Sequence, residues 1–374
     1  MNQPPSSPKP TVLVAPLDWG LGHATRCIPV IHTLIRHQCN VILASDGKGK
    51  SLLEQEFPHL TSLTLKGYDI RYSRSPFTLP FVLATQIPKI ISTIQYENER
   101  LKDLVKEYRI NAVISDNRYG LYHRDIPTVF ITHQLLIKTP FGRQPDQLLQ
   151  KLNYKYINQF TECWVPDDAH GDSLAGALSH PLIEPAVPVK YIGPLSRFEA
   201  DTEPLPAQHL LVLLSGPEPQ RTMLEELLLR QLANYKGPVV LVRGLPGEAE
   251  LLSTPTNVTV FNHLPAETLR HTIRSASYVI ARCGYSTIMD LAVLQKKSIL
   301  IPTPGQTEQS YLSQHLMNRR LALCFTQDKF KLLPALALAE NFPYQPFATD
   351  GHSHLASAVK SLRYKIEFGN FPHA

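Results

Sequence analysis

Short, continuous apolar runs recur along this chain, separated by stretches with helical spacing. In the first half they are Val12–Ala15, Val41–Ala44, Ala112–Ser115, Thr128–Ile131, Cys163–Val165 and Val189–Ile192. In the second half they are Leu210–Leu214, Val239–Val242, Val258–Phe261, Tyr278–Ala281, Ser298–Ile301 and Leu323–Phe325. A strand with one wet face alternates apolar and polar residues. A run that is apolar throughout reads as a strand buried on both faces, and such strands belong to parallel sheets covered by their crossover helices. The expected fold class is therefore α/β. It should comprise two Rossmann-like domains, each with a parallel sheet, facing each other across a cleft.

A chain of 374 residues is too long for one compact core, which agrees with two domains. A polar, acidic, proline-bearing segment from Ser196 to Pro206 marks the boundary. The expected division is a Pro- and Ser-rich leader over 1–10, a first domain over 11–196 and a linker over 197–208. A second domain should cover 209–350, and a C-terminal helix over 351–374 should pack back on the first domain. In open α/β sheets ligands bind beyond the carboxyl ends of the strands, so residues just after each apolar run deserve the closest reading.

The first run ends in Gly20-Leu21-Gly22-His23 and leads into a helical pattern. Gly20 and Gly22 let the backbone turn tightly and approach a ligand. His23 would open the helix and point into the cleft, where an imidazole can take a proton from an acceptor hydroxyl. The competing reading is an incidental His in a strand–helix turn. Two glycines without a third in register are not a dinucleotide fingerprint, which disfavours a nicotinamide oxidoreductase. Asp116, in Ser115-Asp116-Asn117, would lie at a strand's carboxyl edge. There it would orient His23 or hold an acceptor hydroxyl; a helix cap or Asx-turn is the alternative.

In the second half, Ser215 and Gly216 open the first turn of a new sheet, with Arg221 placed to neutralise a phosphate. Pro217 and Pro219 remove two N–H donors from that turn. Asn262 and His263 follow another strand and would offer main-chain groups to a base. The densest signal is Tyr278 to Tyr311, a strand–turn–helix–strand–loop unit. It places Arg282 and the turn Gly284, Ser286, Thr287 ahead of a helix bearing Asp290, with Glu308-Gln309 beyond the next strand. A helix N-terminus beside one carboxylate suits a diphosphate and a ribose, although a lone Asp early in a helix is often only dipole-complementary.

These residues resemble the GT-B glycosyltransferases, and within them family 28, which includes the peptidoglycan UDP-N-acetylglucosamine transferase. The stretch Ile280 to Leu291, continuing to Ile301-Pro302 and Glu308-Gln309, is similar to that family's nucleotide-sugar motif. Gly20-Leu21-Gly22-His23 is similar to its Gly-rich loop, whose His is proposed as base or acceptor contact. The resemblance implies that Gly284, Ser286 and Thr287 lie near the donor diphosphate, with Arg282 counted among the donor contacts. It also implies that Asp290 takes the ribose hydroxyls where the family usually has Glu, that Gln309 contacts the sugar, and that main chain around Asn262 and His263 reads uracil. Asp18-Trp19 replaces glycines of the family's first loop.

The implied activity is transfer of a hexose or N-acetylhexosamine from a UDP-sugar to an acceptor hydroxyl, inverting at the anomeric carbon. The UDP-sugar is a substrate and no cofactor is expected. No Asp-x-Asp motif is present, so transfer without a metal is expected. A non-hydrolysing nucleotide-sugar epimerase and a non-catalytic nucleotide-sugar-binding protein stay open as alternatives.

A formal net charge of +5 without any block of Lys and Arg argues against nucleic acid as a partner. A lipid-linked or small-molecule acceptor is the expected partner. An apolar stretch from Arg71 to Ile94 would serve either as buried core or as peripheral membrane contact. Five cysteines lack metal or disulfide spacing, and no run approaches the length of a membrane span. The expected location is cytoplasmic, with contact at the inner face of the cell membrane as its extension.

Overall fold

The computed structural model describes residues 9–68, 85–169, 173–200, 203, 205–249, 252, 254–348 and 353–369. The leader over residues 1–8 and most of the apolar stretch beginning at Arg71 lie outside them. The first sheet contains β1 (Thr11–Pro16), β2 (Asn40–Ser45), β3 (Thr61–Thr64), β4 (Ala112–Asp116), β5 (Thr128–Ile131), β6 (Glu162–Val165) and β7 (Val189–Tyr191). Its strand order is β3-β2-β1-β4-β5-β6-β7. The second sheet contains β8 (His209–Leu213), β9 (Val239–Val242), β10 (Val258–Phe261), β11 (Ala276–Arg282), β12 (Ser298–Ile301) and β13 (Leu323–Cys324), ordered β10-β9-β8-β11-β12-β13. Every pairing between these neighbours is parallel.

The continuous apolar runs are explained by what covers each face. Successive strand residues point to opposite faces. Val12 and Val14 enter one buried cluster with Cys27, Ile31 and Leu34 of helix α1 (Leu21–Arg36). Leu13 and Ala15 enter another with Leu101 and Leu104, beyond helix α2 (Gly47–Glu56), on helix α3 (Ile87–Tyr108). All four strand residues are fully buried. The second sheet is built alike: Val212 and Ile280 pack on Leu224 and Leu228, which lie past helix α4 (Arg143–Ile157), on helix α5 (Gln220–Leu232). Burying one such aliphatic side chain stabilises by roughly 1.5–3 kcal/mol, so a run of them fixes the layer order.

The remaining helices are α6 (Ala266–Arg274), α7 (Tyr285–Val293), α8 (Thr307–Asn318), α9 (Leu332–Asn341) and α10 (Ser353–Phe368). The last packs on α1 through Leu355, Val359 and Leu362. Arg363 donates to the His37 carbonyl at 2.8 Å, and Lys365 pairs with the buried Glu162 of β6. No helix among the described residues is long and apolar enough to cross a membrane.

One strand escapes the pattern seen in the sequence. β3, Thr61-Ser62-Leu63-Thr64, lies at the sheet edge with every residue at least partly exposed, so it has no reason to be apolar.

Candidate active site

In both sheets the strand order reverses beside the first strand, between β1 and β4 and between β8 and β11. At such a reversal the connections leave in opposite directions and open a crevice. β1 lies in register with β4, with Pro16 opposite Asp116. After β1 the chain turns at Gly20, whose φ of +76 favours a residue without Cβ, and α1 begins. His23 is its third residue. Arg26 and Cys27 follow at i+3 and i+4, so all three share one face, and that face meets Asp116.

Arg26 Nε donates to Asp116 Oδ2 at 2.7 Å, and its Nη2 donates to Oδ1. His23 Nδ1 lies 3.2 Å from Asp116 Oδ1 and 2.9 Å from Arg26 Nη2. Cys27 Sγ stands 3.7 Å from Oδ2. Asp116 is fully buried and Arg26 is 2 % exposed, whereas the His23 side chain keeps 17 % of its surface open. Burial alone would raise the Asp116 carboxyl, but Arg26, and then His23, outweigh it and hold the carboxyl well below the usual range. Burial lowers the His23 imidazole; Asp116 pulls it back up and Arg26 pushes it further down.

The next strand brings a second histidine. His133, just after β5, is buried and stacks on Tyr285 with ring centroids 4.0 Å apart. Its Nε2 lies 2.8 Å from Glu308 Oε1 on α8, and Gln134 donates to the other oxygen of Glu308. Arg26 Nη1 reaches to 3.4 Å from His133 Nδ1. Burial would raise Glu308, yet His133 and Arg26 hold it below its ordinary value. One chain of polar and charged groups thus runs from the first domain into the second.

Across the cleft, α7 starts at Gly284 after β11. A Cβ added at Gly284 would meet nothing within 4 Å, and the same is true at Gly216 after β8, which has φ +105. Space therefore lies open over both turns of the second sheet's reversal point. Ser286 donates to the Gly22 carbonyl at 2.9 Å, and a Cβ on Gly22 would lie 2.9 Å from Ser286 Oγ. The N-termini of α1 and α7 therefore meet, with unsatisfied N–H groups and positive dipole ends converging on one place.

The structure sorts the remaining expected site residues. His23, Asp116, Gly20, Gly22, Gly284 and Ser286 gather where the two helices meet, with Thr287 half-buried on the same first turn. Ser215 stands partly exposed after β8. Arg221 is engaged elsewhere: its guanidinium binds Glu218 and Glu225, so its charge is already neutralised. Arg282 is likewise drawn inward, because its guanidinium donates to the carbonyls of Gln220, Ile301 and Pro302 and braces strand ends. Burial lowers it to about 10.

Asp290 accepts from Ser196 Oγ at 2.7 Å and faces Arg197 Nε at 3.8 Å, which ties it to the linker. Gln309 accepts from the Thr303 N–H at 2.8 Å and shapes the loop after β12. The Asn262 side chain takes Arg243 Nη1 at 2.8 Å, and its carbonyl accepts from Leu245 at 2.7 Å, which leaves less main chain to read a base. His263 is half-buried and lowered by burial, then by Arg197.

Three groups at the centre had no role assigned to them from the sequence: Arg26, His133 and Glu308, the last of which the motif carries beside Gln309. Arg26 had a signal in its spacing from His23 on a helix. His133 lies just beyond the carboxyl end of its strand, close to where Asp116 lies on its own. Glu308 meets His133 across 175 residues of chain, which no local pattern encodes.

A family model described as glycosyl transferase family 1 matches residues 16–332. Among solved structures, the glycotransferase of kitacinnamycin aligns with a TM-score of 0.62 at 16% identity, covering 96% of this chain and 95% of that one. Phytolacca americana UGT2, in complex with UDP-2-fluoro-glucose and pterostilbene, aligns at 0.58 and 14%, covering 96% and 94%. MurG of Acinetobacter baumannii aligns at 0.54 and 15%, covering 95% and 100%. All three share the two-domain architecture of facing Rossmann-like sheets. A search of curated proteins by sequence finds no match.

Proposed function

Because this chain belongs to glycosyl transferase family 1, we propose that it moves a hexose or N-acetylhexosamine from a UDP-sugar to an acceptor hydroxyl, inverting the anomeric carbon without a metal. The observation that carries the reading is the meeting of His23, backed by Asp116, with the open α7 N-terminus at Gly284. A base in one domain and an anion-binding helix end in the other are the two groups that such a displacement needs.

In this mechanism the donor diphosphate rests on the N–H groups of Tyr285, Ser286 and Thr287. Gly216 and Ser215 lie across from it at the other turn. The acceptor enters beside α1, and its hydroxyl hydrogen-bonds to His23. His23 takes that proton at Nε2 while the oxygen attacks the anomeric carbon and the bond to the diphosphate breaks. Asp116 steadies the imidazolium that forms, and the α7 dipole meets the charge left on the diphosphate. UDP as the carrier is supported by the UDP-sugar bound in the Phytolacca structure of the same fold. The motif's likeness to family 28 and the alignment with MurG support an N-acetylhexosamine as one donor to test.

The acceptor side favours a molecule with an apolar part. Leu148 and Leu152 lie along the outer side of α4 and are 62% and 49% exposed, opposite the buried Gln150, Asn153 and Ile157, and Phe141, just before the helix, is 66% exposed. Lys151 and Lys155 flank that stripe. α4 touches the cleft through Asn153, which donates to the Gln134 carbonyl at 3.0 Å. A cationic rim around apolar side chains suits a lipid-linked acceptor at a membrane surface.

The test is a thermal-shift screen of nucleotide sugars, followed by mass spectrometry of products from a lipid extract and a small-molecule panel. A UDP-sugar that stabilises the protein and is transferred to an acceptor supports the reading. Stabilisation with epimerised sugar and no acceptor points to an epimerase, and stabilisation without any turnover points to a binding protein. If no nucleotide sugar stabilises the protein, the proposal fails.

A further inference from the structure

We propose that Arg26 is a positioning residue that decides which ring nitrogen of His23 carries the proton, holding the ligand-free base in a resting tautomer. The inference rests on the reading of His23 as the base. It follows from what each atom can donate. A guanidinium only donates, and each terminal nitrogen carries two hydrogens. Arg26 Nη2 has two acceptors within reach, Asp116 Oδ1 and His23 Nδ1, the latter at 2.9 Å. One hydrogen goes to each only if Nδ1 is bare. The ring proton then sits on Nε2 and points into the cleft as a donor.

If Nδ1 carried the proton, it would face an Arg26 N–H at 2.9 Å, donor against donor. The guanidinium is thus interposed between carboxylate and imidazole, and Asp116 at 3.2 Å is the more distant partner of Nδ1. For His23 to accept a proton at Nε2, the ring proton must shift to Nδ1 and bond to Asp116. Arg26 Nη2 must give way while its Nε keeps Oδ2. The charged and titratable groups facing His23 are Arg26 on α1, Asp116 on β4, His133 after β5 and Glu308 on α8, with Cys27 behind Asp116.

The test is ring-nitrogen NMR of histidine-labelled protein, with the His23 signals identified by their loss in His23→Gln. Wild-type protein should show a bare Nδ1 and a protonated Nε2. Arg26→Met should move the proton to Nδ1 and raise the ring's titration midpoint by about 1–3 pH units, the effect of removing a cation and freeing a carboxylate within contact range. The acidic limb of kcat/KM should move up by the same amount while donor affinity stays constant; Arg26→Lys should restore part of the wild-type limb. A protonated Nδ1 in the wild type overturns the proposal, and so does an Arg26→Met protein that melts cooperatively with tautomer and midpoint unchanged. Should Arg26→Met fail to fold, the wild-type tautomer and the Arg26→Lys titration decide. The spectra need no turnover, so a protein that transfers no sugar would refute the proposed function without touching this result.

Discussion

Asp116→Asn is the most informative single change, because it strips the charge from one side chain that two different arguments use. Asp116 is fully buried and receives two hydrogen bonds from Arg26, itself 2 % exposed. Two unit charges about 4 Å apart attract by about 4 kcal/mol at an effective dielectric of 20. Removing one partner of a buried pair costs about 3–5 kcal/mol, since the other charge is left uncompensated. Asparagine still offers one carbonyl to Arg26, which favours the lower end. For a domain of this size the loss corresponds to a fall of roughly 6–12 °C in melting temperature. The measurement is thermal and urea unfolding beside Asp103→Asn, whose parent side chain is 69% exposed and which should stay within about 0.5 kcal/mol of wild type.

The pH dependence gives a second readout. The folded carboxyl lies below its unfolded value, so the unfolded chain binds the proton more readily. The stabilisation is therefore present above the ordinary carboxylate range and is lost as pH falls towards the folded value. Asp116→Asn should flatten that acid-side slope. A variant that melts with wild type, or one that keeps the full slope, would show that Asp116 and Arg26 are not the buried pair described.

His23→Ala should lower kcat by about 10²–10⁴ while leaving nucleotide affinity unchanged, as expected for a general base; turnover and calorimetric titration with UDP check this, and unchanged turnover would remove His23 from the mechanism. Gly284→Leu should fold with a loss near 1 kcal/mol, the usual scale for a cap position, yet weaken UDP binding more than about tenfold, because its side chain would fill the open space over α7. Full UDP affinity in that variant would place the diphosphate elsewhere. Glu308→Gln removes the charge that faces His133 across the domains and should cost about 1–3 kcal/mol in a charge-assisted contact. Small-angle scattering should then show a larger radius of gyration in the variant, and an unchanged radius would mean that the other contacts between the domains, among them Ser286 to Gly22 and Thr307 to Lys138, suffice.

The layers of this fold were written in the chain because parallel strands are covered on both sides. Val12 to Ala15 are buried without exception and so are apolar without exception. β3 was illegible for the complementary reason, since an exposed edge strand of Thr and Ser carries no such mark. Within the site, the meeting of His23 with Asp116 was legible because one follows β1 and the other ends β4, strands that pair where the order reverses. Arg26 was hidden inside a helical pattern, and its meaning depends on Asp116, 90 residues away. Asp290 has partners of the same distant kind. Its position in the motif implied a contact to the ribose hydroxyls, and no local pattern announced that folding would also bring Ser196 and Arg197 to it.

Helix α10 makes completion of the first half wait for the second. Glu162 is wholly buried in β6, where it accepts from the Trp164 indole N–H and pairs with two cations, Lys190 and Lys365, the latter on α10. During synthesis the ribosome delivers residues 353–369 only after the whole second sheet has emerged. Until then the side of α1 that receives Leu355, Val359 and Leu362 stays uncovered. The first half of the nascent polypeptide therefore leaves the tunnel as an unfinished body, sealed by a strap that is translated only after the second sheet.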